Sequence, residues 1–411
     1  MIVKKILIQH FPSLDNYGTA MMGLVMSQFL SDHFGGNVEI YSDLQSEEMI
    51  PEILDELRGS VPIKRYVHPY SHRLQRSRGI VKKFWQIYSM YVYREFDLIV
   101  VLGGDDLSEY YSRRGVLIES IQLVSQRFFC PIVLVGQTIG PFNLLSNRLL
   151  LRRLLRYVPI ATRDQWCYNY LQEDLKLKKN LFQGADLAFC DLPLQNNDSI
   201  RQEILHRYHL VPDQYVTVIV SGLVKSYCKN RQVYLQNWHE MICRMAKNPF
   251  LQNKKICLLA HTFAKYGDEG EIITELFQTL PEDIRQRVVP VKERILPTRA
   301  RFLLGNGYLT ITGRMHASIS TFQMGKPAIV LSYSKKYEGI IGMNLNRPDL
   351  IVEAGMNDAL WESMEIVEMI DEKVCYLCEN YDRITDEIRE RVAVQKQLAE
   401  SMLQKCIGVA K

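Results

Sequence analysis

The sequence lacks any apolar run long enough to cross a membrane. Its densest apolar stretch, residues 128–136, falls far short of the ~20 residues that a spanning helix needs. The first eleven residues hold two lysines and a short apolar run, but neither the longer apolar region nor the cleavage site of a secretory signal. We therefore expect a cytoplasmic protein whose first residues form a strand.

The sequence also lacks an excess of either charge. Fifty Lys and Arg stand against 46 Asp and Glu, which gives a net charge of +4. Binding of nucleic acid by overall electrostatics needs a far more basic protein, so no nucleic-acid partner is predicted. Any preference for an anion must come from a local cluster.

A disulfide or metal framework is missing too. The nine cysteines are an odd number and are scattered along the chain, which favours a reducing compartment. Cys375 and Cys378 form a C-x-x-C, but a zinc ribbon needs a second pair, and the surrounding residues look like a helix interior. No metal site is predicted.

What the sequence does have is the alternation of short β-branched runs with longer amphipathic stretches that is typical of parallel α/β sheets. At 411 residues, 47% of them hydrophobic, two packed domains are expected. The first half predicts a helix over 20–34 and strands at 2–9, 38–41, 98–102, 132–136, 158–162 and around 181.

The pattern restarts after residues 191–199, whose Pro, Asn and Asp content indicates a linker. Further strands are predicted at 215–221, 255–260, 288–291, 308–312 and 328–332, and helices at 200–209 and over 361–406. We therefore predict an amino-terminal domain over 1–195, a carboxy-terminal domain over 200–360 and closing helices over 361–411. The two α/β domains are expected to face a cleft, because open parallel sheets bind ligands beyond the carboxyl ends of their strands.

Polar, turn-forming residues follow three strands of the first half. They are Gly103, Gly104 and Asp105; Gln137 and Thr138; and Arg163. The glycines would let a ligand approach the backbone. The alternatives are a helix capped by Asp105 or Asp106, a rigid turn, and an Arg163 that is an exposed surface charge.

The most informative segment of the second half closes one strand and opens a helix. Gly313 permits a turn, and Arg314 and His316 then lie in the first helical turn, where free N–H groups and the helix dipole favour an anion. Together they predict a phosphate or carboxylate site. Lys335, Lys336, His261 and Asp268 follow other strands of this half. The alternatives are a half-buried, hydrogen-bonded histidine and solvated loops.

In order and spacing, these segments resemble the polysaccharide pyruvyl transferase family across most of residues 6–345. The segments are Asn16-Tyr17-Gly18, Leu102-Gly103-Gly104, residues 137–141, Thr162-Arg163-Asp164, Gly184-Ala185-Asp186, Gly313-Arg314-Met315-His316, Gly325-Lys326-Pro327 and residues 333–336.

The resemblance implies two Rossmann-like domains of the GT-B type, and a reaction that moves a pyruvyl group from phosphoenolpyruvate to a sugar as a ketal. It implies no cofactor and no metal. The acceptor would be a sugar of a cell-surface polysaccharide or its lipid-linked precursor. Matched by position, His316, Arg314 and Arg163 would be catalytic. Substrate-binding residues would be Lys336, Lys335, Gly103, Gly104, Asp105, Gln137, Thr138, Asn16, Asp186 and His261.

The sequence departs from the family pattern at two places. Asp105 stands where a third glycine is common, and Thr19 where an Asp is common. Both lie in the amino-terminal domain, which is expected to hold the acceptor. The base that takes the acceptor's proton is left open among Asp105, Asp106 and Asp186.

Two other functions compete with this one. A GT-B glycosyltransferase would bind the diphosphate of a nucleotide sugar with the same Arg314, and a non-catalytic glycan-binding protein would not need the cations at all. No G-x-G-x-x-G follows the first strand and no P-loop motif occurs, which disfavours a dinucleotide enzyme and a kinase.

Two segments, 76–85 and 148–157, mix basic with apolar residues as an interfacial helix would. They suggest peripheral contact with the inner face of the plasma membrane. The favoured alternative is an ordinary amphipathic helix packed on the sheet. No oligomeric state is predicted.

Overall fold

The computed structural model describes residues 3–70, 85, 88, 90–109, 112–263 and 267–409. The basic segment predicted over 76–85 therefore lies, except for Trp85, outside the described residues. The chain forms two compact units. The first comprises Met1–Ser13, Met22–Pro193 and Gln395–Lys411, and the second comprises Leu14–Met21 and Leu194–Val394.

The first unit is built on a seven-stranded parallel sheet in the order β3-β2-β1-β4-β5-β6-β7. Its strands are β1 Lys4–Gln9, β2 Val38–Ser42, β3 Ile63–Arg65, β4 Leu98–Leu102, β5 Ile132–Gln137, β6 Ile160–Thr162 and β7 Leu181–Gln183. In the register, Ile8 lies opposite Ser42 on one side and Val100 on the other. Every residue of β4 and β5 is buried, which is why these strands are continuous apolar runs.

The helices of the first unit connect these strands. They are Ile50–Asp55, Gly115–Phe129, Leu145–Leu155 and Gln165–Asn169, and the helices Tyr17–Phe34 and Tyr381–Ile407 contribute residues to each unit. The core of the unit is a cluster of apolar side chains from β4, β5 and the helices after them.

The second unit has a six-stranded parallel sheet in the order β10-β9-β8-β11-β12-β13. Its strands are β8 Tyr215–Ile219, β9 Lys255–Leu259, β10 Val288–Val291, β11 Thr310–Thr312, β12 Ala328–Ser332 and β13 Ile351–Glu353. Its main helices are Asp198–Arg207, Arg231–Lys247, Glu269–Thr279, Pro297–Asn306, Met315–Gln323 and Glu365–Glu379. Thr312 of β11 pairs with Ile219 and Val330.

Each sheet reverses its strand order once. The reversal falls between β1 and β4 in the first unit and between β8 and β11 in the second. The connections after two such strands leave in opposite directions and open a crevice at the carboxyl edge of the sheet. A ligand site is therefore expected beside these two strand pairs.

The predicted α/β class is confirmed, and every predicted strand is present within a few residues of its expected bounds. Two strands were missed, β3 and β13. Each has only three residues and lies at an edge of its sheet, where a strand needs no long apolar run.

One local prediction is wrong. Neither Asp105 nor Asp106 caps a helix, because the next helix begins at Gly115. The residues directly after β4 form an irregular turn, in which the Ser108 hydroxyl donates to the Asp105 carbonyl at 2.8 Å.

The helix Glu365–Glu379 buries Ile366, Ile370, Val374 and Leu377, a spacing of three and four that places one apolar face inward. Cys375 and Cys378 lie within this helix as free, half-buried thiols, which confirms the predicted helix interior. No helix in the described part of the chain is both long and apolar enough to span a bilayer.

Residues Leu14–Met21 belong to the second unit, although the predicted domain over 1–195 included them. Asn16 forms an antiparallel bridge with Thr262, and the Tyr17 N–H donates to the His261 carbonyl at 3.2 Å. The Tyr17 hydroxyl accepts a hydrogen bond from the Ile295 N–H at 2.8 Å. These contacts explain the placement, since backbone pairing holds the segment against the ends of the second sheet.

Candidate functional site

The second unit gathers polar side chains at the carboxyl ends of its central strands. Gly222 follows β8, His261 follows β9, and Arg314 follows β11. Since β8 and β11 flank the reversal of strand order, these residues lie at the crevice where such sheets bind ligands.

A fully buried carboxylate, Glu269, ties these strand ends together. One oxygen accepts from the backbone N–H groups of His261 and Thr262 at 2.7 and 3.1 Å. The other accepts from the Gly222 N–H at 3.2 Å and from Nε of Arg314. The carboxylate therefore fixes the Arg314 guanidinium relative to the strand ends.

Arg314 is the N-cap residue of the helix Met315–Gln323 and is held as a cation. Burial acts to lower the pKa of Arg314, but the Glu269 carboxylate outweighs it and raises that pKa above its ordinary value. Nη2 of Arg314 is buried and has no hydrogen-bond partner among the described residues. A charged donor without a partner, beside the N-terminus of a helix, is suited to an anion.

His261 lies beside the cations of this cluster. Its side chain is 1% exposed, and its Nε2 has no hydrogen-bond partner in the described part of the chain. Burial and the nearby Arg314 and His316 hold the pKa of His261 well below its usual range. His261 is therefore neutral at physiological pH, with one ring nitrogen available to a ligand.

His316 is half-buried and lies directly against Gly18. A Cβ on residue 18 would overlap the imidazole ring of His316. The Gly18 N–H donates to Oδ1 of Asn16 at 3.1 Å, which shapes the turn that brings this glycine to the ring. The glycine of the Asn16-Tyr17-Gly18 motif is thus required by close packing against the histidine.

Three tyrosines hold the turn after β11 and the lysine that follows β12. The Tyr227 and Tyr337 hydroxyls donate to the Gly313 carbonyl at 2.6 and 3.0 Å. Lys336 is 9% exposed; its Nζ donates to the Tyr333 hydroxyl at 2.8 Å and lies 4.7 Å from the centre of that ring. Lys335 instead pairs with Glu338 in solvent.

The remaining predicted residues belong to the first unit, where Arg163 is central. Its side chain is 1% exposed rather than at the surface, and it pairs with the fully buried Asp186 at 3.2 Å. Nε of Arg163 donates to the Thr138 hydroxyl at 2.8 Å, and that hydroxyl donates to Asp164 at 2.6 Å. Asp164 also caps the helix Gln165–Asn169.

These buried charges stabilise one another. Burial acts to lower the pKa of Arg163, but the carboxylates of Asp186, Asp105 and Asp164 raise it above its ordinary value. Burial raises the pKa of Asp164, against its hydrogen bonds to Thr138 and Cys167. The motifs around 138, 163 and 186 thus form one internal network of the first unit.

Gln137 and the two glycines after β4 lie at the carboxyl ends of β4 and β5 in the same sheet. The Gln137 amide donates to the Leu102 carbonyl at 2.9 Å and accepts from the Gly104 N–H at 3.3 Å. A side chain at Gly103 would overlap the Gly136 carbonyl. The ends of β4 and β5 approach too closely for a Cβ at residue 103, which therefore has to be glycine. The hydrogen bonds of Gln137 hold the turn that contains Gly103 and Gly104.

Glu269 was missed by sequence reasoning. It stands next to Asp268, which caps the helix as its neighbours in sequence suggest, and an acidic pair at a helix start looks like ordinary capping. Nothing in the local pattern distinguishes the buried carboxylate from the exposed one. Within the described residues, no three His, Cys, Asp or Glu side chains converge as metal ligands would.

A family model described as polysaccharide pyruvyl transferase matches residues 16–335 of this chain. The chain belongs to this family. The resemblance seen in the sequence is thereby confirmed, and the protein is a transferase enzyme of that family.

One curated relative of this chain is the amylovoran biosynthesis protein AmsJ of Erwinia amylovora. It is 19% identical over 318 residues, which cover 75% of this chain and 72% of AmsJ.

Solved structures similar to this chain show its fold. The UDP-GlcNAc 2-epimerase of Neisseria meningitidis bound to UDP-GlcNAc has a TM-score of 0.62 at 14% identity, covering 98% of this chain and 99% of the epimerase. The MnaA–UDP co-structure from S. aureus has a TM-score of 0.60 at 12% identity, covering 94% and 90%. These likenesses support two Rossmann-like domains with GT-B-like neighbours.

The packing of Gly18 against His316 generates a prediction. Gly18→Ala should destabilise the protein by ~1–3 kcal/mol, because the added methyl group overpacks the site. It should also shift the ring resonances of His316 in NMR spectra. In the control Gly342→Ala, the nearest atom to the new Cβ is 3.7 Å away, so unfolding in urea should change by under ~0.5 kcal/mol. Equal unfolding free energies for the two variants would contradict the close packing.

The buried pair in the first unit generates a second prediction. Asp186→Asn should lower the free energy of unfolding by ~3–5 kcal/mol, because it leaves the Arg163 charge buried with one carboxylate fewer. The control Asp191→Asn removes an exposed pair with Lys396 and should cost at most ~1 kcal/mol. Chemical denaturation of both variants measures the difference. A cost for Asp186→Asn as small as that of the control would show that the pair is not structural.

Proposed function

We propose that this chain moves the pyruvyl group of phosphoenolpyruvate onto a sugar of a cell-surface polysaccharide or its lipid-linked precursor, forming a ketal. The observation that carries the proposal is the buried Arg314 with an unpartnered Nη2 at a helix N-terminus, beside the unpartnered Nε2 of His261. Membership of the family supplies the reaction type.

The donor's two anionic groups fit this cluster. A guanidinium held in one orientation by Glu269 suits a planar, bidentate contact with carboxylate or phosphate better than a mobile lysine would. Free N–H groups in the first turn of the helix Met315–Gln323 add further donors. Lys336, held by Tyr333, is a further cation for the donor, whereas Lys335 is already paired with Glu338.

The chemistry requires one protonation and two attacks by sugar hydroxyls. A proton added to the methylene carbon of phosphoenolpyruvate makes a methyl group and an oxocarbenium-like centre at the neighbouring carbon. One hydroxyl oxygen bonds to that carbon and loses its proton. The bond to phosphate then breaks, a second hydroxyl bonds to the same carbon and loses its proton, and the products are a ketal and phosphate.

His316 is the proposed general acid. A positioned histidine that donates a proton in the transition state is worth ~10²–10⁴ in rate. Because Gly18 packs against the ring, its orientation is constrained before any substrate arrives.

Arg163 has a different proposed role from Arg314. Its guanidinium is enclosed by Asp186 and Thr138, so we assign it to positioning the turns after β5 and β6 rather than to contact with the donor. For the same reason the buried Asp186 is an unsuitable base for a sugar hydroxyl.

Calorimetric titration tests the donor. Wild-type protein is expected to bind phosphoenolpyruvate and not UDP-GlcNAc. Arg314→Ala should weaken phosphoenolpyruvate binding by more than about tenfold, roughly 1.4 kcal/mol, because a buried charge contact is lost. His316→Ala should keep the affinity within about tenfold and abolish phosphate release.

Arg231→Ala is the matched control. Arg231 lies in the same unit, in an exposed pair with Glu275, so its removal should leave the affinity unchanged. Binding of UDP-GlcNAc in place of phosphoenolpyruvate would overturn the proposal in favour of a GT-B glycosyltransferase. Phosphate release by His316→Ala at the wild-type rate would remove the acid role.

A further inference from the structure

We propose that a pocket in the first unit, at the carboxyl ends of β1 and β4, binds a neutral sugar through its hydroxyl groups. The identification of this sugar as the acceptor rests on the proposed function, but the binding itself does not. The carboxyl-edge crevice of the first sheet is the counterpart of the one that holds Arg314 in the second.

The pocket has a volume of about 270 Å³ and lies where the first sheet reverses its strand order. Val101, Leu107, Leu123 and Leu134 form its apolar floor, and Tyr93 forms part of a wall. Its polar lining includes the carboxylates Asp43, Asp106 and Glu119, the amides Gln9, Gln122, Gln126 and Gln137, and His10. An apolar floor with a few convergent polar groups is the usual composition of a small-molecule site.

The charge of this lining distinguishes it from the site in the second unit. Among the described residues that line it there is no lysine and no arginine, whereas Asp43, Asp106 and Glu119 contribute carboxylates. Such a pocket repels phosphate and carboxylate groups. Carboxylate and amide oxygens accept hydrogen bonds from hydroxyls, and amide nitrogens donate to them, so a polyhydroxylated neutral ligand satisfies the lining.

Gln126 supplies an independent sign of a ligand site. Its side chain is 7% exposed and lines the pocket, and its Oε1 has no hydrogen-bond partner in the described part of the chain. Buried amide oxygens are almost always satisfied in proteins. A sugar hydroxyl in the pocket would supply the missing donor.

His10 is fixed in an uncommon backbone conformation at the mouth of the pocket. Its φ is 67°, in the left-handed region, and the N–H groups of His10 and Phe11 both donate to the Asp43 carboxylate at 2.9 Å. Nδ1 of its ring is 3.2 Å from the Leu102 carbonyl and 4.0 Å from the Asp106 carboxylate. The ring is thus held over the end of β4 rather than turned into solvent.

Glu119 faces the same space from the helix Gly115–Phe129. Burial and the neighbouring Asp106 raise its pKa above the ordinary value, although His10 acts to lower it. A carboxylate with a raised pKa binds a hydroxyl proton more strongly, which suits Glu119 to accept a hydrogen bond from a sugar.

Saturation-transfer NMR tests the pocket with a panel of methyl glycosides: the galactoside, glucoside, mannoside and N-acetylmannosaminide. Wild-type protein is expected to show transfer to at least one of them. Gln126→Met keeps the side-chain volume but removes the amide, and should abolish that transfer. Glu119→Gln, on the more exposed side of the pocket, should reduce it and serves as the second variant. Gln172→Met, at an exposed position of the same unit, should leave it unchanged.

Phosphoenolpyruvate titration of the same variants separates this proposal from the proposed function. Gln126→Met should bind phosphoenolpyruvate as wild type does, and Arg314→Ala should keep sugar binding. No transfer to any glycoside, or undiminished transfer in Gln126→Met, overturns the sugar pocket. Sugar binding without phosphoenolpyruvate binding overturns the proposed function alone.

A different surface of the first unit carries a second inference. The helix Leu145–Leu155 buries Leu151 and Leu155 but leaves Leu145 and Leu149 exposed at 70% and 55%. Leu149 and Tyr157 line a shallow groove together with six cations: Arg152, Arg153, Arg156, Lys176, Lys178 and Lys179. We infer that this basic groove docks onto an anionic lipid bilayer.

The charges of the basic groove are unneutralised. None of its six cations forms a salt bridge with a carboxylate among the described residues, while the nearby Asp174 is already paired with Arg148. Exposed leucines and a tyrosine beside such a cluster combine an apolar side that enters the interface with a basic side that contacts lipid headgroups. The sequence favoured an ordinary amphipathic helix that packs on the sheet and keeps its charges in solvent. That alternative does not explain why Leu145 and Leu149 are exposed.

Vesicle sedimentation tests the basic groove. The protein should pellet with phosphatidylglycerol vesicles at low salt, and not with phosphatidylcholine vesicles. The double variant Arg152→Glu and Arg153→Glu should lose this binding at least tenfold. Lys247→Glu with Lys405→Glu makes the same change in charge at exposed positions elsewhere and should keep it.

Leu149→Ser separates lipid insertion from simple attraction between charges, because it removes an exposed apolar contact and leaves the charge unchanged. It should weaken vesicle binding. Failure of wild type to pellet, equal losses in the two charge variants, or undiminished binding of Leu149→Ser overturns the inference.

Discussion

The carboxylate of Glu269 is the constraint on which the site of the second unit depends. Three backbone N–H groups and one guanidinium converge on it, and they come from the ends of three strands, β8, β9 and β11. A buried charge is tolerable only when it is paired and fully hydrogen-bonded. Glu269 meets that condition by fixing Arg314, so the group that orders the strand ends also sets the direction of the cation.

The two units share the same strand order, but the residues at their crevices carry opposite charges. Around Arg314 the second unit places cations at its crevice, and around Glu119 the first unit places carboxylates and amides. The proposed reaction, which joins an anionic donor to a neutral acceptor, needs both kinds of site. Each of the two sheets provides one crevice for a ligand, and the residues that follow its strands determine which charge of ligand it favours.

The fold was predictable because its signal is repeated. Buried strands such as β4 and β12 are unbroken apolar runs between helices, and many such runs agree on one architecture. The strand-end motifs carrying Arg314 and His316 were predictable for a related reason, because a turn glycine and a helix start are local features. β3 and β13, which are short edge strands, carry too little of this signal.

Contacts between residues that are distant in sequence could not be predicted from the sequence. Arg163 looks like a surface charge until Asp186 and Thr138 are brought to it by other strands. Glu269 looks like a helix-capping acid until Arg314 reaches it. Gln126 and Glu119, on one helix, show no motif at all. In each case the decisive partner is distant in sequence, and a single sequence holds no record of which distant residues meet.

The contact between Gly18 and His316 also bears on how the protein is made. Residues 14–21 leave the ribosome before the rest of the second unit, and the imidazole they pack against belongs to the helix Met315–Gln323, which follows most of the first unit. Contacts between such distant residues form late, because the intervening chain must be ordered first. The second unit therefore cannot be excised as one continuous fragment from residue 194 onward. Such a fragment would lack residues 14–21, which pack against His316.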